Sequence, residues 1–371
     1  MKYCKKCIMP DTRPYISFDD DGICQPCKRY ENRKNIDWSA RWEELEALCD
    51  KHRGRNGDYY DILITVSAGK DSLYQVYLFK EKLGMNPLCL MIDNLSWTET
   101  GRQNFENLGD QFGVDILKLT LNRKVARKMF RKAFEKELIP TWYFDRAIYS
   151  YPLQMAIKLG IPLVIWGENT SYERGGSIKK ETPDALVQIE NDVVKPIPLD
   201  EWLDDDITLK DLNPIVYPTM EEIKKAGIEA RFCSYYVPWS DYENFIWAKN
   251  HGWKSLKDTG EWEREGLPGL EYLQIDTIGY LTHTWCKYVK FGHWALTDYL
   301  SLDIREGRKK REEAFKIVNE HEYKLDPKML KDFIDFLEIT EEYFWEVVDK
   351  FANRDIVEKV DGVWKLKVPV H

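Results

Sequence analysis

The sequence lacks the features that would place the protein at a membrane or on nucleic acid. No apolar run reaches the ~20 residues of a transmembrane helix. Residues 1–7 lack the apolar core of a secretory signal peptide. Lys and Arg total 54 against 63 Asp and Glu, a formal net charge of −9, so no cationic excess exists to displace counterions from nucleic acid. We therefore expect a cytoplasmic protein without a membrane contact and without a general nucleic-acid surface.

Internal repeats and low-complexity segments are also absent, which excludes solenoid and disordered classes. The chain has 371 residues, of which 43% are hydrophobic, enough for two or three compact units. Changes in pattern along the chain predict four segments. They are a cysteine-bearing unit at 1–35, a helical connector at 36–59, an α/β domain with substrate-facing insertions at 60–275, and a mainly helical region at 276–371.

From residue 60 onward, short apolar runs alternate with amphipathic helical patterns. Such alternation is typical of a doubly wound α/β fold with a mostly parallel sheet. Strands are predicted at 61–66, 87–92, 115–119 and 163–166. Helices are predicted at 72–82, 98–112, 123–137, 146–159, 308–320, 327–337 and 341–351. Residues 170–275 are less regular and rich in Trp, Tyr and Pro.

Four cysteines near the N-terminus form two closely spaced pairs: Cys4, Cys7, Cys24 and Cys27. The spacing C-x2-C-x16-C-x2-C is typical of a structural tetrathiolate zinc site. In such a site no coordination position remains for water, so the zinc would be structural. The alternatives to a zinc site are four thiols without a metal and a redox-active Cys-x-x-Cys pair. The other cysteines are scattered and are interpreted as small buried hydrophobes: Cys49, Cys89, Cys233 and Cys286.

The most informative segment is 61–72, which reads DILITVSAGKDS. An apolar strand turns through small residues into a helix, which leaves free backbone N–H groups and the positive end of the helix dipole at one point. Ser67 and Ser72 can donate hydroxyls, Lys70 supplies a cation, and Asp71 could hold Mg²⁺. A Walker A loop is absent. The segment therefore predicts a pyrophosphate cradle.

This loop resembles the PP-loop, S-G-G-x-D-S, of the N-type ATP pyrophosphatases, which implies their adenine nucleotide alpha hydrolase-like fold. Ala68 stands where the pattern usually has Gly, and we expect slower or unchanged activity from it. Further motifs resemble the N-acetyl sugar amidotransferases of pseudaminic-acid and O-antigen (lipopolysaccharide) biosynthesis. They are CxxCIMPDTRP at 4–14, DGIC at 21–24, SLYQ at 72–75, WTE at 97–99, WGEN at 166–169, YVPW at 236–239 and DIRxGR at 303–308.

The resemblance implies an ATP-dependent conversion of an acetamido group on an activated sugar into an acetamidino group. The amide oxygen would be adenylylated with release of pyrophosphate, and ammonia would then displace AMP. No glutaminase motif is present in the chain. By analogy, ammonia would come from separate glutaminase and cyclase-like subunits, resembling those of imidazole-glycerol-phosphate synthase.

Roles for individual residues follow from the resemblance and from positions at the carboxyl edge of the sheet. The predicted ATP-binding residues are Ser67, Ala68, Gly69, Lys70, Asp71, Ser72, Asp93 and Gly167. The predicted catalytic residues are Lys70, Asp71, Glu168 and Asn169, with Asp71 as the Mg²⁺ ligand. The predicted substrate-binding residues are Tyr172, Glu173, Arg174, Lys290, Arg305 and Arg308. For Asp93 a structural turn, and for Arg305 and Arg308 a solvated helix face, are competing interpretations.

Two other functions remain open from the sequence. A tRNA-thiolating PP-loop enzyme shares the loop and sometimes a zinc knuckle, although the negative charge and the lack of a cysteine beside the loop argue against it. An inactive scaffold that binds zinc or nucleotide is the second alternative, and only Ala68 favours it.

Overall fold

The computed structural model describes residues 1–189 and 195–370 and confirms a doubly wound α/β core. Five parallel strands form the central sheet in the order β3-β2-β1-β4-β5. They are β1 (Ile62–Thr65), β2 (Pro87–Ile92), β3 (Asp115–Leu119), β4 (Leu163–Trp166) and β5 (Glu229–Phe232). A separate antiparallel hairpin near the C-terminus consists of β6 (Val357–Val360) and β7 (Val363–Leu366).

Helices cover both faces of the sheet and make up most of the C-terminal region. They are α1 (Gln25–Asn32), α2 (Trp38–His52), α3 (Lys70–Tyr77), α4 (Glu99–Phe112), α5 (Arg123–Glu137), α6 (Trp142–Leu159), α7 (Thr170–Arg174), α8 (Met220–Ala226), α9 (Cys233–Tyr236), α10 (Asp241–Asn250), α11 (Leu256–Thr259), α12 (Thr282–Phe291), α13 (Ala295–Arg305), α14 (Arg311–His321), α15 (Pro327–Leu337) and α16 (Glu341–Phe351). A wider helical turn, Leu78–Lys82, extends α3. None of the helices in the described ranges is long and apolar enough to span a bilayer.

The four predicted strands are confirmed, but sequence reasoning missed β5. This strand has only four residues, and its side chains alternate between half-buried and buried because it lies at the edge of the sheet. It therefore lacks the continuous apolar run that marks β1 and β2. The hairpin β6–β7 was missed as well. The sheet does not test the division of the chain into segments at 1–35, 36–59, 60–275 and 276–371, and these bounds remain a prediction.

The strand order places the carboxyl ends of β1 and β4 side by side. The chain leaves β1 towards β2 on one side, whereas β4 pairs with β1 on the other side. In open α/β sheets, ligands bind in the crevice at such a switch point, because the loops there diverge to opposite faces. The loop after β1 contains Ser67–Ser72, and the loop after β4 contains Gly167–Asn169, so the predicted ATP-binding and catalytic segments meet at this edge.

The start of α4 packs closely against the loop that follows α11. The Thr98 amide donates to the Asp276 carbonyl, and Asn94 Nδ2 donates to Asp276 Oδ2 at 2.6 Å. A Cβ atom on Gly101 would lie 2.5 Å from the Cα of Asp276, which is closer than van der Waals contact allows. Glycine at 101 is therefore required by this packing.

Two glycines of α4 provide a matched test of this packing. We expect Gly101→Ala to lower the free energy of unfolding by about 1–3 kcal/mol, because backbone must move to accept the methyl group. On Gly109 a Cβ would meet only the end of Ile116, at 3.5 Å. We therefore expect Gly109→Ala to raise stability by about 0.5–1 kcal/mol through helix propensity. Urea unfolding of both variants checks this, and similar effects at the two positions would contradict it.

Candidate functional site

The loop between β1 and α3 is held by its own serine hydroxyls. The amide of Ser67 donates to Ser72 Oγ at 2.7 Å, and the amide of Gly69 donates to Ser67 Oγ at 3.0 Å. These two bonds wind the chain tightly before the helix begins at Lys70. The first amides of α3 have no carbonyl partner one turn earlier in the helix, so they can donate to an anion.

Ala68 fits this loop. Its φ is not positive, so the backbone conformation does not require glycine. Its side chain is 1% exposed, and its carbonyl accepts a hydrogen bond from Trp253 Nε1 at 2.9 Å. Because φ at this position is not positive, alanine can replace the glycine of the PP-loop pattern without backbone strain.

A buried chain of alternating charges lies beneath the loop. Lys70 Nζ contacts Asp71 Oδ2 at 2.5 Å and Asp241 Oδ1 at 3.0 Å. The other oxygen of Asp241 accepts from Arg174 Nη2 at 2.9 Å. Asn244 also donates to Asp71, at 2.8 Å. Asp241 thus holds two buried cations in position, and sequence reasoning missed it. The sequence feature that could have pointed to Asp241 is its position just after the YVPW motif, in the first turn of α10.

This arrangement fixes the protonation states of its members. Burial lowers the pKa of Lys70, but Asp71 and Asp241 outweigh burial and keep that pKa above its usual value. Burial opposes ionisation of Asp241, yet Lys70 and Arg174 hold its pKa below the usual range. Lys70 and Asp241 are therefore charged at neutral pH.

Burial raises the pKa of Asp71 and of Glu168, in contrast to that of Asp241. For Glu168 the raised pKa is about 8, and Arg174, whose Nη2 lies 3.4 Å from Oε1, opposes the rise only in part. Much of Glu168 is then protonated at neutral pH. A bound cation would favour the ionised form. At the sheet edge, Glu168 can thus donate a proton in its protonated form or bind a cation in its ionised form.

A cavity of about 1090 Å³ opens over these groups, and we call it the sheet-edge cavity. Its walls near β2 and α6 are apolar, whereas its floor is polar. Its lining includes Ser67, Asp71, Ser72, Gln75, Leu90, Ile92, Asn94, Phe144, Ile148, Gly167, Glu168 and Thr170.

The structure does not bring Asp93 to this cavity. Its two carboxylate oxygens accept from Trp97 Nε1 at 2.9 Å and from Thr120 Oγ1 at 2.7 Å, and the neighbouring Asn94 lines the cavity instead. These contacts favour the structural interpretation of Asp93, because neither oxygen is left for a ligand.

Thr170 lines the sheet-edge cavity, but three predicted residues after Glu168 turn away from it. Asn169 caps α7 by accepting from the amide of Tyr172, and its Nδ2 has no partner among the described residues. Asn169, Tyr172 and Glu173 line a different cavity, of about 720 Å³, between α1 and α7. Arg29 lies over the Tyr172 ring, 4.1 Å from its centroid.

The predicted substrate-binding cations lie in different places. Arg174 belongs to the buried charge chain, and Lys290 lines a third cavity described below. Arg305 points at the cysteine cluster, where Nε lies 3.4 Å from Cys27 Sγ. Arg308 pairs with Asp303 at 2.5 Å and with Glu306. Because their guanidinium groups are occupied by these partners, we exclude Arg305 and Arg308 from the proposed substrate site, and neither is on a solvated face.

The four N-terminal cysteines meet at one point. Their sulfur atoms all lie within 4.8 Å of one another, and the Cys7 and Cys24 sulfurs are 3.6 Å apart. Tetrahedral zinc–sulfur bonds of about 2.3 Å would set sulfur atoms ~3.8 Å apart. The cluster could thus bind a metal ion, and its geometry fits four-coordinate zinc. A turn precedes the second pair, with the Gly22 amide donating to the Asp19 carbonyl at 2.9 Å.

Cations from the C-terminal region surround this cluster. Arg305 is 7% exposed and approaches three of the sulfurs, and Arg311 donates to the carbonyls of Cys4 and Cys7 at 3.0 Å. Four thiolates around a divalent cation keep a net negative charge, which a buried guanidinium offsets. The cysteine unit is thereby joined to the ends of α13 and α14.

Comparison with protein families identifies one domain. Residues 240–368 match the family model described as the C-terminal domain of LPS biosynthesis protein WbpG-like. This confirms the resemblance to surface-polysaccharide biosynthesis proteins in the C-terminal part. Asp241, which completes the charge chain, lies at the start of the matched range.

Other relatives are more distant. An uncharacterized protein of Methanocaldococcus jannaschii is 26% identical over 194 residues, which are 50% of this chain and 65% of that protein. The chain therefore spans less than two thirds of the length of this relative.

Three solved structures are weakly similar to this chain. The NH3-dependent NAD synthetase of Campylobacter jejuni, in complex with nitrate, is 16% identical over 37% of this chain and 58% of its own, with a TM-score of 0.30. NMN synthetase of Francisella tularensis is 14% identical over 36% and 56%, with a TM-score of 0.28. The U34-tRNA thiolase of Methanococcus maripaludis, with its [4Fe-4S] cluster, is 14% identical over 74% and 85%, with a TM-score of 0.23. At these scores the likenesses add nothing to the observed topology.

The cysteine cluster leads to a prediction about metal content. We expect the purified chain to contain one zinc ion, and we expect Cys24→Ser to lose it together with the fold of residues 1–35, because structural zinc contributes about 10 kcal/mol or more. Elemental analysis and thermal unfolding measure both effects. Cys49→Ala, at a buried cysteine outside the cluster, should keep its zinc. Full stability after chelation would contradict the prediction.

Proposed function

We propose that the protein is an ATP-dependent amidotransferase that converts an N-acetyl group of an activated sugar into an acetamidino group. The observation that carries this proposal is the meeting of the Ser67–Ser72 loop and Glu168 in one cavity above a buried Lys70–Asp241–Arg174 charge chain. The WbpG-like match over residues 240–368 supports a role in surface-polysaccharide biosynthesis.

The reaction explains why a nucleotide is needed. An amide carbonyl is a weak electrophile, and its oxygen does not leave as oxide. Attack of the acetamido oxygen on the α-phosphorus of ATP forms the O–P bond and releases pyrophosphate. Ammonia then adds to the imidate carbon, AMP leaves with the former amide oxygen, and loss of a proton gives the amidine. The protein contributes mainly positioning and charge stabilisation.

Roles for the loop residues follow from this scheme. The amides at the start of α3 and the ammonium of Lys70 would neutralise the leaving pyrophosphate, and the serine hydroxyls would orient it. Asp71 and Glu168 both line the cavity and could hold Mg²⁺, which would supply further charge neutralisation on the phosphates. In its protonated form Glu168 could instead donate a hydrogen bond to the acetamido oxygen.

Lys70 provides the first test of this function. We expect Lys70→Met to weaken ATP binding at least about tenfold, because a charge-assisted contact to phosphate is lost. Calorimetric titration with ATP measures the affinity. The control is Lys82→Met, at an exposed lysine beyond the same helix. Thermal unfolding of Lys70→Met shows whether the chain stays folded when Asp241 loses this partner. If it does not, Lys70→Arg, which keeps the positive charge, replaces it. Unchanged affinity in a folded Lys70→Met variant would remove ATP from this cavity.

The nitrogen source provides a second test. We propose that ammonia reaches this chain from separate glutaminase and cyclase-like subunits. The purified chain should then form AMP and pyrophosphate with an N-acetylated sugar and ammonium, while glutamine alone should fail as the nitrogen donor. Mass spectrometry would detect the small mass decrease as oxygen is replaced by NH. Release of ADP and phosphate instead of AMP would contradict the proposed chemistry, and equal use of glutamine would contradict the separate subunits.

A further inference from the structure

A second large cavity lies beside the sheet-edge cavity. It has a volume of about 1440 Å³, and we call it the basic cavity. Its walls come from the segment after the first cysteine pair, from the start of α6 and from α12. Thr170 lines both cavities, and its Oγ1 lies 3.4 Å from Glu168 Oε1. A ligand could therefore occupy the basic cavity and reach Glu168 past Thr170.

The lining of the basic cavity carries more cations than carboxylates. Among the described residues, its lining includes four Lys or Arg side chains and one carboxylate, which belongs to Asp145. The carboxylate is already occupied, since Asp145 accepts from Thr141 Oγ1 at 2.6 Å and from the Tyr280 hydroxyl at 2.5 Å. The four cations are Arg13, Lys195, Lys287 and Lys290.

Two of these cations have a carboxylate partner and two do not. Arg13 pairs with Asp298 at 2.6 Å, and Lys195 pairs with Glu137 at 2.5 Å. Lys290 Nζ donates only to a backbone carbonyl, at 2.9 Å. Lys287 makes no hydrogen bond or ion pair with any part of the chain that the structure describes.

Lys290 is half-buried and burial lowers its pKa, so the empty cavity disfavours its charged form, whereas Lys287 is an exposed residue. An anion would reverse that preference.

The two histidines of this cavity cannot supply the charge. His283 donates from Nδ1 to the Tyr280 carbonyl at 2.6 Å, and burial lowers its pKa to about 4. His293 is fully enclosed, and burial lowers its pKa to about 3 despite nearby Asp298. Both are neutral at physiological pH. Recognition of an anion therefore depends on the lysines.

We propose that the basic cavity binds the anionic group of the N-acetylated substrate, either a sugar carboxylate or a phosphate, through Lys287 and Lys290. The inference rests on the proposed function for the place of the ligand in the reaction. The anion would occupy the basic cavity while the acetamido group passes Thr170 to meet the nucleotide beside Glu168. The enzyme would then discriminate against neutral N-acetyl sugars by charge.

Binding of three commercial sugars to the full chain, without ATP, tests this site. N-acetylneuraminic acid carries a carboxylate, N-acetylglucosamine 1-phosphate carries a phosphate, and N-acetylglucosamine is neutral. We expect at least one anionic sugar to bind, measured by calorimetry, and Lys287→Met or Lys290→Met to weaken it about tenfold. The neutral sugar should bind weakly and equally to all variants. The control is Lys316→Met, at an exposed lysine on α14 that removes the same charge.

The outcomes separate the possibilities. Preference for the first or the second anion identifies carboxylate or phosphate as the recognised group. Equal binding of the neutral sugar, failure of both anions to bind, or an equal loss in Lys316→Met would overturn the proposal. Because ATP is absent, a failure here leaves the AMP-forming test unaffected. Conversely, lysine-dependent binding in a chain that forms no AMP would retain the anion site and reject the proposed reaction.

Discussion

The structure around the candidate site depends on one buried carboxylate, Asp241, placed between two buried cations. Lys70 comes from the loop after β1, and Arg174 comes from the end of α7 after β4. A buried charge is tolerated only when its partners are held in good geometry, and removing one partner leaves the others uncompensated. The loop, α7 and α10 are therefore fixed relative to one another by charge as well as by packing, which keeps the two sheet-edge segments facing the same cavity.

This interaction also joins distant parts of the sequence. The Ser67–Ser72 loop lies in the first third of the chain, whereas Asp241 and Asn244 lie at the start of the WbpG-like range. The same pattern recurs at the cysteine cluster, whose neutralising guanidinium comes from Arg305. In both places the C-terminal region supplies the counter-charge that an N-terminal element needs. The matched domain is thus a structural component of both sites.

The sequence predicted the elements whose signal is local. Continuous apolar runs identified β1, β2 and β4, and the sheet-edge rule correctly paired the Ser67–Ser72 loop with Glu168. Contacts between distant segments could not be predicted in this way. An arginine pairs equally well with a carboxylate, a phosphate or a thiolate, so Arg305 was assigned to substrate although it faces Cys27. Asp241 follows the YVPW motif, but that position does not reveal its two cations, which approach only in the folded chain.

The position of Arg13 has a consequence for the whole molecule. It follows the first cysteine pair, lines the basic cavity and reaches Asp298 on α13. Metal coordination and anion binding would then act on the same short segment of chain. By thermodynamic reciprocity, whatever orders this segment for one ligand lowers the entropic cost of binding the other. A metal ion in the cysteine cluster would then be bound more tightly when the basic cavity is occupied.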